Sequence, residues 1–131
     1  MRTQVLRFAL VGVAGFIADA GVLWLALHLG SGYFAGRAVS FLTAVWVTWQ
    51  LNRRFTFVAH TSGSAWREWW RYLAAMSGGG CVNYAAYCAV VLILPHAAFV
   101  PFLGVAAGSV AGLGVNFASA RWWVFRHRPQ R

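Results

Sequence analysis

Apolar residues fall along the chain in four long runs, roughly Phe8–Leu29, Tyr33–Leu51, Trp70–Leu94 and Phe99–Ala120. Each approaches the ~20 residues an α-helix needs to cross ~30 Å of hydrocarbon. The runs are continuous and lack the apolar-polar alternation of a barrel strand. A backbone in lipid must satisfy its own hydrogen bonds, so the pattern predicts helices. Gly30-Ser31-Gly32 marks the first break and the stretch from Pro95 to Pro101 the third, both turn-forming compositions. The longest polar stretch, Asn52 to Glu68, separates two halves. The expected fold is an all-α integral membrane domain of four transmembrane helices spanning residues 1–131.

The arginines give these spans a direction. Two (Arg2, Arg7) precede the first span, four (Arg53, Arg54, Arg67, Arg71) lie between the second and third, and four (Arg121, Arg126, Arg128, Arg131) follow the last. Ten of the eleven basic residues therefore fall on one side, and only Arg37 belongs near the other. The positive-inside rule makes that side cytoplasmic, with both termini in. The N-terminus imitates a signal peptide, with Arg2, Arg7, an apolar run and Ala18-Asp19-Ala20. Yet the run continues past that site to Leu29 and a matching segment recurs inside the chain, so an uncleaved helix is expected.

Composition agrees with a membrane chain. Hydrophobic residues make up 60% and charged residues 10%, against about 25% charged in soluble domains. Such figures exclude a soluble globule and a disordered segment. Cys81 and Cys88, seven apart on one helix, stand about 10 Å from each other, beyond disulfide reach. They build no disulfide module, and no Cys/His spacing reads as a metal site.

The two halves echo one another. Arg7-Phe8 matches Arg71-Tyr72, Ala14-Gly15 matches Gly78-Gly79 and Asp19 falls opposite Asn83, all at an offset of 64. Arg53-Arg54-Phe55-Thr56-Phe57 matches Arg121-Trp122-Trp123-Val124-Phe125 at an offset of 68. The reading is a repeat over about 5–57, a cytoplasmic linker over about 58–68, a second repeat over about 69–125 and a basic tail over 126–131. Each repeat holds two spans, so both enter the membrane in the same direction, as a parallel repeat.

The basic-aromatic start, the glycine-containing first span with a mid-span acid, and Asn52-Arg53-Arg54-Phe55-Thr56-Phe57 closing the second span resemble the GtrA-like family. Arg121-Trp122-Trp123-Val124-Phe125 echoes that ending after the fourth span. The likeness covers about residues 5 to 126; Thr48 departs from it where the first half often carries Asn, whereas Asn116 is present in the second. The resemblance implies a small four-span protein of the bacterial cytoplasmic (inner) membrane, linked to cell-surface polysaccharide synthesis. It implies a role in moving polyprenyl-phosphate-linked sugars across the membrane, or in assisting glycosyltransferases that make or use them.

Asp19 lies roughly 16 Å into the first span, near the midplane. An ionisable group there costs several kcal/mol, so it needs a partner or a proton. It either serves proton coupling and sugar contacts, or fixes packing through Asn83 or an arginine. Arg37, about one turn inside the second span, either snorkels to the outer headgroups or reaches inward toward Asp19 or a lipid phosphate. Arg7, Arg53, Arg54, Arg71 and Arg121 gather at the cytoplasmic helix ends. Guanidinium grips phosphate bidentately, while topology and anionic lipid also account for such a cluster. Arg53 and Arg121, beside Asn52 and Asn116, are the preferred phosphate binders. Gly104, Gly108 and Gly112 form a small-residue face for close helix packing, in this chain or with a second copy. Gly78-Gly79-Gly80 suits a kink or a tight crossing.

Nucleic acid is not an expected partner: Trp66, Trp69, Trp70, Trp122 and Trp123 flank spans as an interfacial belt. Two acidic residues in the whole chain, scattered histidines (His28, His60, His96, His127) and no nucleotide loop speak against catalysis and cofactors. The leading expectation is a lipid-linked sugar translocase. The alternative is a non-catalytic anchor or accessory subunit of a polyprenyl-phosphate glycosyltransferase, docking through Trp66–Tyr72 and the basic tail. A small multidrug exporter fits poorly, because such proteins often lack this charge bias. Four thin helices enclose little volume, so a homodimer or larger assembly is expected.

Overall fold

A computed structural model of the chain describes residues 1–57, 63–97 and 99–126, with the side chains at 33, 34, 101 and 102 set aside. Residues 58–62 of the linker, and the tail beyond Arg126, lie outside the described residues, as do His60, His127, Arg128 and Arg131. The described chain is helical: α1 (Arg2–His28), α2 (Tyr33–Leu51), α3 (Ala65–Ile93) and α4 (Val100–Ser119). It divides into two compact units, Met1–Trp69 and Trp70–Arg131, with the boundary inside α3. Arg2–His28, Ala65–Ile93 and Leu103–Val124 are long and apolar enough to cross a membrane.

The helices run past the apolar stretches that predict them. α1 starts six residues before Phe8, and α3 starts at Ala65, inside the expected linker. Arginine and tryptophan beyond an apolar run remain good interfacial residues, with their stems on the apolar side and their polar ends in water. Nothing at those positions obliges the helix to stop.

Between α1 and α2 the chain turns on Gly30, at φ 84°. The Gly30 N–H donates to the Leu27 carbonyl at 3.2 Å and the Ser31 N–H to the Ala26 carbonyl at 3.0 Å. This is a Schellman closure, in which a left-handed glycine satisfies the last carbonyls of a helix.

α2 and α4 each end in a wider turn. Asn52–Thr56 and Ala120–Val124 are π-helical. The Phe57 N–H donates to the Asn52 carbonyl and the Phe125 N–H to the Ala120 carbonyl, both at 2.8 Å. Such turns hold one more residue than an α-helical turn and recur at functional sites. Here each delivers an aromatic side chain inward. The Phe57 ring meets Phe8 edge-on at 6.1 Å, and the Phe125 ring meets Tyr72 edge-on at 5.9 Å. All four of these residues are buried.

Each unit also brings its helices close together at a glycine of its first helix. A side chain at Gly15 would strike the Thr48 methyl group, and one at Gly79 would strike the Asn116 amide. In the second unit the small face of α4 lies on α3. A Cβ at Gly104 would fall 2.8 Å from the Tyr87 ring, one at Gly108 2.6 Å from the Asn83 carbonyl oxygen, and one at Gly112 2.9 Å from the Asn83 Cβ. The glycine stripe is thus occupied within its own chain. Gly78 and Gly80 have open space around them, and α3 runs through them as one helix.

Candidate functional site

Both carboxylates of the chain, Asp19 and Glu68, belong to the first unit, and each meets an arginine. α1 carries Asp19 nine residues before its end, and α2 carries Arg37 four residues after its start. The Gly30 turn sets them side by side. Arg37 Nη1 donates to Asp19 Oδ1 at 2.6 Å and to Oδ2 at 2.7 Å. One nitrogen serves both oxygens, so the guanidinium meets the carboxylate end-on. The same Nη1 lies 3.4 Å from Ser40 Oγ, and that buried hydroxyl donates back to the Arg37 carbonyl at 3.1 Å.

Of the two expectations for Arg37, the structure takes the inward one. Its side chain reaches to Asp19. The physical reason is the cost of a lone carboxylate among apolar residues, which a cation beside it removes. The partner of Asp19 is accordingly an arginine of its own hairpin. Asn83, in the second unit, has its side chain against Gly108 and Gly112. The Arg37 side chain remains 56% exposed and that of Asp19 20%.

At the other end of the same hairpin, four residues cluster around the start of α3. Trp49 is buried in the last turns of α2, and its indole Nε1–H donates to Glu68 Oε1 at 2.9 Å. Arg53, one turn later on the π-helical segment, places Nε 3.1 Å from the same oxygen. That approach is an ion pair by distance without hydrogen-bond alignment. The guanidinium carbon stands 5.7 Å from the Trp49 ring centre, within cation–π range. The Trp69 ring lies 5.4 Å from the Trp49 ring.

The remaining candidates fall in contrasting settings. Arg7 Nη1 donates to the Phe55 carbonyl at 3.0 Å, placing a cation on the carbonyl end of a helix, which favours it. The buried Asn52 amide oxygen accepts the Thr56 hydroxyl at 2.7 Å. Arg54 is exposed on the π-helical turn. In the second unit Arg71 is exposed and Arg121 half-buried. The Asn116 side chain lies against Gly79, with its Oδ1 buried. Among the described residues no group of three or more His, Cys, Asp or Glu could hold a metal ion.

Glu68 and Trp49 are the functional candidates that sequence reading passes over. Glu68 sits in a stretch that reads as linker, and Trp49 reads as one more apolar residue of a span. The available signal is that Glu68 is one of only two acids in an arginine-rich chain. Such an acid has many cations to choose from.

The family described as GtrA/DPMS, transmembrane domain, matches residues 7–125. The match opens at Arg7, which caps the first π-helical turn, and closes at Phe125, which follows the second. No curated protein matches the chain.

Proposed function

We propose that this chain, which belongs to the GtrA/DPMS transmembrane-domain family, carries a polyprenyl-phosphate-linked sugar across the cytoplasmic membrane of a bacterium for cell-surface polysaccharide glycosylation. Family membership supports involvement with polyprenyl-phosphate sugars at a membrane. The observation that carries translocation is the Asp19–Arg37 pair, a donor and an acceptor joined between two apolar helices, with the carboxylate largely buried and the guanidinium side chain half exposed. Ionisable groups at such depth mark pathways.

In this reading α2 is the fourth span. Its 19 residues reach about 28 Å at 1.5 Å per residue, close to the hydrocarbon thickness. Both termini are cytoplasmic, and the two hairpins are parallel repeats. The headgroup phosphate is held by the cytoplasmic arginines, chiefly Arg53 and Arg121. Asp19 and Arg37 exchange hydrogen bonds with sugar hydroxyls during passage, and the prenyl tail stays in the bilayer. The protein does no covalent chemistry and works as a homodimer or larger assembly. The alternative, a non-catalytic anchor of a glycosyltransferase, draws on the exposed Trp66 and Trp70 on α3.

The test uses sealed proteoliposomes holding only this protein and a polyprenyl-phosphate sugar. Protection from an external headgroup-modifying reagent is expected to fall faster than in empty vesicles, and Asp19→Asn or Arg53→Ala should abolish the acceleration. Folded protein that gives no acceleration would move the assignment to the accessory role.

A further inference from the structure

An arginine binds phosphate well when its guanidinium is held still with two terminal nitrogens presented together. Two contacts hold Arg53, and a third ties its two partners together. Glu68 Oε1 lies 3.1 Å from Nε, on the shaft side of the guanidinium. The Trp49 ring lies beneath the guanidinium carbon at 5.7 Å. The Trp49 indole N–H fixes that same Glu68 oxygen at 2.9 Å, so ring and carboxylate are locked to one another. The two side chains of the ion pair are only 21% and 18% exposed. Among the described residues, the terminal nitrogens of Arg53 have no hydrogen-bond partner.

We infer that Glu68 and Trp49 are positioning residues, which orient Arg53 so that its terminal nitrogens form a preset fork for a phosphate group. This rests on reading Arg53 as a phosphate binder. The shared ligand chemistry is the phosphate, carried by a prenyl lipid or free in solution. The cluster has an electrostatic cost, because the Glu68 charge opposes an incoming anion. Its benefit is geometric, and the two separate cleanly by substitution. Glu68→Gln and Glu68→Ala remove the same charge, but only Gln keeps an oxygen to accept from Trp49 and face Arg53.

The experiment uses the full chain in detergent micelles, labelled with 5-fluorotryptophan. The fluorine resonance of Trp49 is assigned by its loss in Trp49→Phe. Titrations use inorganic phosphate and farnesyl phosphate, with affinity read from the phosphorus line of the probe. The Trp49 resonance should shift saturably in the unmodified chain. A shift with both probes makes phosphate itself the ligand, and a shift with farnesyl phosphate alone makes it the lipid. In either case Glu68→Ala should bind about tenfold more weakly than Glu68→Gln, the effect of losing one hydrogen bond that orients a charged group. Equal affinities, or tighter binding by Glu68→Ala, would overturn the positioning role.

Trp49→Phe tests the same contact without altering the start of α3. It keeps an aromatic face, loses the indole donor and should weaken binding several-fold; unchanged affinity would again overturn the role. Arg53→Gln separates the two levels of the argument. If it leaves phosphate affinity intact, Arg53 is not the phosphate binder and the underlying reading fails. If it abolishes binding while the Gln and Ala variants of Glu68 agree, only the positioning role fails.

Discussion

The two units use the same frame and fill it with opposite chemistry. In each, a basic-aromatic helix start meets an aromatic residue delivered by a π-helical turn, as Phe8 with Phe57 and Tyr72 with Phe125. In each, a glycine of the first helix lets the second approach, as Gly15 with Thr48 and Gly79 with Asn116. The first unit adds two ion pairs and a buried Asn52–Thr56 hydrogen bond. The second has no acidic residue at all and places Ala120 and Val124, both buried, where the first has Asn52 and Thr56. It gains its closeness from three glycines on α4. One frame thus tolerates either charge pairing or backbone-to-backbone packing, and the polar chemistry is concentrated in the first unit.

The largest expected effect comes from unbalancing that chemistry. Arg37→Ala leaves the largely buried Asp19 carboxylate without its cation and should cost about 3 kcal/mol of stability, whereas Asp19→Ala leaves a half-exposed arginine that can turn outward and should cost less. The double variant Asp19→Asn/Arg37→Gln should recover at least half of the loss in thermal unfolding. A double variant no better than the singles would mean that the pair is not a unit. Asn83→Ala, at the matching place of the second unit, should cost less than about 1 kcal/mol.

Next is the packing on which the second unit depends. Gly108→Ala sets a methyl group against the Asn83 backbone carbonyl, which cannot swing aside, and should cost about 2 kcal/mol. Gly79→Ala drives its methyl group into the whole Asn116 amide, and Gly15→Ala into a β-branched Thr48 whose hydroxyl is tied to the Val45 carbonyl, so each should also cost about 2 kcal/mol. Gly114, with open space around it, should accept Ala without loss. If Gly108 and Gly114 behave alike, the glycine face of α4 does not hold the second unit together.

The smallest effect is a graft. Thr56→Val alone removes the hydroxyl that the buried Asn52 oxygen accepts and should cost about 1 kcal/mol. Asn52→Ala/Thr56→Val installs what the second unit carries and should cost no more than the single variant, since neither half of the local bond is left buried alone. A double variant worse than the single would show that Asn52 serves more than the local bond.

How far this was legible in the sequence depends on range. Continuous apolar runs specify helices, and Gly30 specifies the closure of α1, because both are local rules. Residues 64 and 68 apart could be matched by type, and those matches fall on Gly15 and Gly79 and on Phe57 and Phe125. The π-helical turns were not legible, since no residue preference separates one from a final α-helical turn. Neither was the choice of Arg37 for Asp19, which needs the register between two helices. Glu68 was hidden by a boundary: the helix that presents it begins five residues before the apolar run does.

The Asp19–Arg37 contact also governs how the hairpin responds to a transmembrane voltage. A lone charge moved through the whole field exchanges about 2.3 kcal/mol per 100 mV. A carboxylate and a guanidinium 2.6 Å apart sum to zero, so the field exerts no net force on them while they move together. At rest the pair is electrically silent. Any cycle that parts the two, sending one along the membrane normal without the other, becomes a gating movement, and its rate would depend on voltage.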